Sequence, residues 1–321
     1  MGCALEPGRD VAHCVSLRLA WQELVARFGS LRFDPQPALA DALNEPLDAA
    51  CVERAACAAH AGFGAEGILE RIRADLSARF PGTAPSLLPA AIADEGLLAF
   101  AYLARQLPFR SAFRAMSCRF QERTVAGFGV DEHGPHGEVL RAQLRVHDFV
   151  SAADFVLELL PEPAGERIVV AQVPRQPTLQ QAVDHVRARL GRLRGEAAAL
   201  RADDAFSMPT LAIDAMAQLP ELVGRPLCND AVRGTQLDDV RQGIRFSLDE
   251  RGARVESQAV LLAYGAPMRA FRVTAPFLLM LLRDGSRTPY LTLWVETPTW
   301  MQDRGEAPKP PAGFSFGGGP R

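Results

Sequence analysis

Over the first eighty residues the apolar positions recur with a helical period. Val15, Leu17, Leu19, Trp21, Leu24, Val25 and Phe28 cover one broad face of residues 11–28, which predicts a helix that stops at Gly29. Residues 47–60 and 66–80 read as two further helices, the second with Ile68, Leu69, Ile72 and Leu76 at the spacing of a core stripe. Pro81-Gly-Thr-Ala-Pro85 interrupts this pattern, and strand-like runs follow at 97–103, 125–130, 139–149, 154–160 and 167–173. A helix is expected over 178–200, opened by Thr178 with Gln181 three positions on, as in a capping box. Near the end, Phe277, Leu279 and Leu281, then Leu291, Leu293 and Val295, alternate as strands buried on one face. Leu278, Met280 and Leu282 point to burial on both faces of the first, and Trp294 and Trp300 are expected to fill the bottom of the core. Residues 302–321 are rich in Pro and Gly without an apolar period and read as a disordered tail, leaving 1–301 as a single domain, with 1–80 mainly helical and 81–301 mixed.

Composition narrows the function classes. A chain of 321 residues with 48% hydrophobic content can bury a sizeable core. The net charge is -3, with 35 basic residues scattered among 38 acidic ones, so no charged patch steers the chain to nucleic acid. Residues 1–10 lack the apolar segment of a secretory signal, and no run of eighteen apolar residues follows. A cytoplasmic location and no membrane partner are therefore expected. The six cysteines are widely spaced, which predicts reduced thiols rather than a disulfide framework.

Several clusters invite a chemical reading. Cys51, Cys57 and His60 converge on one face of the helix expected there, and His133 and His136 share a tight turn near His147. Neither group has metal-ligand spacing, so no metal or other cofactor is expected; they read as buried thiols and solvated histidines. The chain carries no nucleophile elbow, P-loop or dinucleotide glycine signature, and an enzyme is not expected. The adjacent carboxylates Asp203-Asp204, Asp238-Asp239 and Asp249-Glu250 read as solvated turn residues, since neighbours on a strand face opposite ways.

The C-terminal third holds the most specific pattern. Leu248-Asp249-Glu250-Arg251-Gly252-Ala253 is followed by Phe271-Arg-Val-Thr-Ala-Pro-Phe277 and then by Leu291-Thr-Leu-Trp-Val295. Upstream stand Leu87-Leu-Pro89, Leu97-Leu-Ala-Phe-Ala-Tyr102, Leu107-Pro-Phe109 with Phe113, Phe155-Val-Leu-Glu-Leu-Leu-Pro161, Ile168-Val-Val-Ala-Gln-Val-Pro174 and Phe206-Ser-Met-Pro-Thr-Leu-Ala-Ile213. In this order, across about residues 66–298, these segments resemble the serpins. Phe100 departs from the Asn usual in that family. The family's N-terminal Ser-Pro-x-Ser-Ile motif is missing from residues 1–60, and the chain is shorter than a typical serpin.

The resemblance implies an α+β fold in which a large mixed sheet is flanked by helices and closed by C-terminal strands, with the N-terminal helices shortened. It also implies protease inhibition: a protease cuts a bait loop over about 253–270, and the cut loop inserts into the main sheet. Gly252 would be the hinge. Ala253, Val255, Ser257 and Ala259 would form the inserting face, with Arg254, Glu256 and Gln258 on the other side. Tyr264, Gly265, Ala266 and Pro267 would lie near the scissile bond. The same residues also fit an ordinary hairpin, in which 244–248 pairs with 253–262 across Asp249-Glu-Arg-Gly252. The chain would then be a non-inhibitory binding module with 253–264 as a fixed strand. Small alternating residues suit insertion. The bulk of Val255, Pro267 beside the scissile region and the apolar run Val260–Tyr264 suit the fixed strand. Either way, the partner is a protease or another protein.

Overall fold

The computed structural model describes residues 2–82, 87–131, 135–252 and 269–302. These fall into two compact units, one drawing on 2–13, 106–213 and 245–302 and the other on 14–105 and 214–244.

The first unit is built on two sheets. Its six-stranded sheet runs in the order β1 (Val11–Cys14), β14 (Leu291–Val295), β13 (Phe277–Arg283), β8 (Glu166–Gln172), β7 (Asp154–Leu159) and β6 (Leu144–Ser151). β13 sits in its interior, antiparallel to β14 with Leu279 opposite Leu293 and to β8 with Leu279 opposite Val170. Every residue from Phe277 to Leu282 is buried, which is why this strand reads as an unbroken apolar run. One face of the sheet, with Val156, Val169, Leu278, Met280 and Trp294, packs against Leu179, Ala182, Val183 and Val186 of helix α5 (Leu179–Arg187). Burial of this layer stabilises the unit at about 25 cal/mol per Å² of apolar surface.

The second sheet orders β12 (Ala270–Arg272), β9 (Ala205–Pro209), β5 (Arg123–Val130) and β4 (Arg114–Phe120). β12 is parallel to β9, and the other pairs are antiparallel. Phe113, Phe128 and Phe206 interlock beneath it, with ring centroids 5.8–6.2 Å apart.

In the other unit, helix α1 (Ser16–Phe28) and helix α3 (Ile68–Arg79) pack on a ribbon of β2 (Cys57–Phe63) and β3 (Leu97–Leu103), and α2 (Ala38–Asn44) packs on α1. α3 buries Ile68, Leu69, Ile72 and Leu76, the four residues of its apolar stripe. Trp21 and Leu24 of α1 join Leu31, Leu43, Leu222 and Leu227 in a separate cluster. A further two-stranded sheet pairs β10 (Leu211–Gln218) with β11 (Arg241–Leu248).

The α+β class with a large sheet flanked by helices forms as expected, and several local readings are corrected. Residues 47–60 are not a helix: a single 3-10 turn at Arg54–Ala56 leads into β2, whose Ala58 and His60 pair with Tyr102 and Phe100. The small side chains of Ala58, Ala59 and Ala61 favour a helix locally, but cross-strand pairing and burial outweigh that preference. Residues 11–14 form β1 instead of the first turn of α1. The strand expected over 139–149 divides into helix α4 (Pro135–Arg141) and β6, and β4 was not expected at all. The helix over 178–200 stops at Arg187, and Gly191 and Gly195, both at positive φ, keep it from resuming. Its start is as predicted, with the Thr178 hydroxyl accepting from the Gln181 N–H at 3.2 Å. Trp294 is fully buried, whereas Trp300 is only half-buried.

Candidate functional site

The residues on either side of 253–268 form two buried anchors, both within the first unit. The entry anchor is the turn after β11. Leu248 is fully buried, and Asp249 and Gly252 close the turn reciprocally: the Asp249 N–H donates to the Gly252 carbonyl at 2.9 Å, and the Gly252 N–H to the Asp249 carbonyl at 3.2 Å. The turn docks against Leu107-Pro-Phe109 and Phe113. The Phe109 N–H donates to the Arg251 carbonyl at 2.9 Å, and the Phe113 N–H to the Glu250 carbonyl at 2.7 Å. Phe109 and Phe113 pack edge to face at 4.9 Å.

Gly252 is required here twice over. Its φ is +114°, and a Cβ at this position would stand 2.3 Å from the Leu107 carbonyl oxygen and 2.6 Å from the Pro108 Cα. Asp249 and Glu250 are not solvated, being 6% and 8% exposed. The Asp249 backbone closes the turn and the Glu250 carbonyl docks it on Phe113, which draws both side chains in. Burial pushes the Asp249 carboxyl up; the Arg251 backbone N–H, donating to it at 2.9 Å, opposes this, the neighbouring Glu250 charge adds to it, and the result is about 7.

The exit anchor is formed by Arg269 and β12. The Arg269 guanidinium bonds the Asp204 carboxylate through Nε at 3.0 and 3.1 Å and through Nη2 at 2.5 Å, and Nη2 also donates to the Ala199 carbonyl at 2.9 Å. The Ala205 N–H donates to the Arg269 carbonyl at 3.1 Å, so backbone and side chain both tie this residue to the start of β9. Phe271 of β12 is fully buried, edge to face with Phe149 at 4.9 Å and Phe155 at 5.4 Å. Asp204, also read as solvated, is only 1% exposed, because the buried guanidinium needs its charge.

Gly252 thus lies at the docked end of the turn. Ala253, Val255, Ser257, Ala259, Tyr264, Gly265, Ala266 and Pro267, with the hairpin partner 253–262 and the tail from 303 on, lie outside the described residues, as does His133. Asp204 and Arg269 carried no sequence signal of their pairing, since 65 positions separate them. The Phe that follows each, Phe206 and Phe271, marks strands but not their order in the sheet.

The remaining clusters resolve separately. The first trio shares no helix: Cys51 precedes β2, and His60 on β2 bonds Asp75 of α3 at 2.7 Å. Among the described residues, no three His, Cys, Asp or Glu side chains are placed to hold a metal ion. His147 is buried rather than solvated; its Nδ1 accepts from the Gly191 N–H at 3.0 Å, which leaves Nε2–H to donate to Glu158 at 2.6 Å. Burial pushes the Glu158 carboxyl up, but hydrogen bonds from His147 and Arg167 outweigh it and bring it down to about 2. His136 belongs to α4.

No protein-family model and no curated protein matches this sequence. Solved structures do. The serpin from the trematode Schistosoma haematobium is 11% identical with a TM-score of 0.52, over 91% of this chain and 94% of that one. Mouse protein-Z dependent protease inhibitor is 13% identical with a TM-score of 0.53, over 90% and 91% of the two chains. Human glycosylated kallistatin is 11% identical with a TM-score of 0.51, over 91% and 92%. The chain therefore has the serpin fold, as its motifs implied.

Proposed function

We propose that the chain is a protein-binding serpin-fold protein that presents residues 253–268 as bait to a protease and inhibits it by inserting the cut segment as a strand. The observation that carries this reading is the pair of buried anchors, the turn docked at Gly252 and the Asp204–Arg269 cluster, which hold the two ends of that one segment. Cleavage between them would release the segment from its exit anchor while leaving it tethered at Gly252. β11, which leads into the turn, pairs with β10, and the inserting strand would lie along the opposite edge of β11. Alternation of Ala253, Val255, Ser257 and Ala259 against Arg254, Glu256 and Gln258 suits that placement. Mouse protein-Z dependent protease inhibitor has the same fold.

Limited proteolysis that nicks only 253–268, followed by a thermal scan, tests the proposal. A large rise in Tm after nicking is expected, because strand insertion adds a full ladder of hydrogen bonds and buried side chains. An unchanged Tm, or resistance of the segment to every protease tried, would favour the second reading, a non-inhibitory binding protein with 253–264 fixed as a strand. The apolar run Val260-Leu-Leu-Ala-Tyr264 supports that second reading, since such a strand is normally covered.

A further inference from the structure

β6 carries an extra residue relative to its partner strand. Val146 stands opposite Leu157 and Asp148 opposite Val156, so His147 is the added residue of a bulge, and it is 4% exposed. Its backbone and its ring both hold the segment that follows α5. The His147 carbonyl accepts from the Leu193 N–H at 2.9 Å, and ring Nδ1 accepts from the Gly191 N–H at 3.0 Å. Nε2–H donates to Glu158 at 2.6 Å, so both ring nitrogens are used and the imidazole is neutral.

The same segment reaches the exit anchor. Ala199 bridges Arg145 of β6, and its carbonyl accepts from Arg269 Nη2 at 2.9 Å. Residues 188–199 are thus held in the middle by His147 and at the far end by β6 and Arg269. The middle contact requires a neutral ring. A second ring proton would sit on Nδ1 and face the Gly191 N–H across 3.0 Å, two donors with no acceptor between them. Gly191, at φ +74°, has no side chain to keep it in place.

The charged groups around the ring come from several elements. Glu158 stands on β7, and Arg167 Nη2 of β8 lies 3.4 Å from Nε2, with Asp284 and Arg145 behind this pair. On the side of the segment, Arg189 and Arg192 bond Asp148, His185 lies 3.5 Å from Arg189, and Arg194 donates to the Gly191 carbonyl.

We infer that His147 is a pH-sensitive latch: protonation of its ring expels the Gly191 N–H, loosens residues 188–199 and weakens the hold of Ala199 on Arg269, at the exit end of the 253–268 segment. The latch acts on this anchor whether or not the segment inserts into a sheet, so a failure of the proposed inhibition leaves it standing.

NMR of the full chain tests the inference between about pH 5 and 8, the range in which histidine ordinarily changes charge. The Gly191 and Leu193 amides and the Arg269 Nε–H are expected to titrate with the midpoint of the His147 ring. Hydrogen exchange at Gly191, corrected for its intrinsic pH dependence, should speed up at least about tenfold on the acid side. His147→Asn should abolish the shared transition, whereas His185→Asn, which removes the neighbouring histidine, should leave it intact. If His147→Asn does not fold, the wild-type chain and His185→Asn decide the matter. A Gly191 amide that keeps its shift and protection while the ring titrates would overturn the inference. So would a response that stops short of Arg269, a ring that takes up no proton by about pH 5, or a transition that survives His147→Asn.

Discussion

Arg269 and Asp204 form a buried ion pair in which the guanidinium bonds both carboxylate oxygens, and it joins the residue that precedes β12 to the residue that precedes β9. The Asp204 side chain is 0% exposed and that of Arg269 15%. The Arg201 N–H adds a bond to the carboxylate at 2.8 Å and the Ala199 carbonyl one to the guanidinium at 2.9 Å, but the only charge facing each group is the other. Asp204→Ala is therefore expected to cost about 2–4 kcal/mol, because it strands a largely covered guanidinium that keeps only the Ala199 carbonyl as a close acceptor. Urea unfolding would show this as a lower midpoint at unchanged slope, and a loss below about 1 kcal/mol would place the pair in effectively aqueous surroundings.

Gly252→Ala combines a strained backbone with a clash against backbone atoms of Leu107 and Pro108, which have no flexible end to give way. Strain and overpacking each cost about 1–3 kcal/mol, so a loss of at least about 2 kcal/mol is expected. Gly243→Ala, where the nearest atom to an added Cβ is a Leu87 methyl at 3.4 Å, is the control and should stay close to wild type in the same denaturant series.

Asp249 makes stability fall with rising pH. Its folded-state value of about 7 lies above the ordinary 3.8, so the folded chain keeps a proton that the unfolded chain has released. The stability this group contributes is complete below about pH 4 and is lost as pH rises to about 7. Asn at this position is neutral throughout and still accepts from Arg251. The stability of Asp249→Asn relative to wild type should rise between pH 4 and 7 and level off above; parallel pH profiles for the two proteins would refute this.

Glu158 acts in the opposite sense. Its value of about 2 lies below the ordinary 4.5, so its contribution is present above pH 4.5 and is lost as pH falls towards 2. Glu158→Gln keeps an oxygen that can accept from His147 but leaves Arg167 without its principal counter-charge, and is expected to cost about 3 kcal/mol at pH 7. The cost should shrink on acidification, which equilibrium unfolding at pH 7 and pH 3 would reveal.

How far local pattern carries is clearest at α3 and β13. Ile68, Leu69, Ile72 and Leu76 mark their helix face, and six successive apolar residues mark a strand buried on both sides; in each case periodicity reports burial directly. The segment 47–60 shows the limit. Its Ala-rich composition is locally helical, and β2 forms there because β3 lies alongside.

The sequence by itself determined the serpin-like order of segments, the start of α5 at Thr178, the apolar strands at the C-terminus and the glycine at the end of the 248–252 turn. These are properties of neighbouring residues, where backbone preference and side-chain period act within a few positions. Only the tertiary structure decided that Asp204, Asp249, Glu250 and His147 are buried, and that Arg269 closes on Asp204. A charged residue reads as solvated until its partner is known, and here those partners are brought up by strand pairings that no local period encodes.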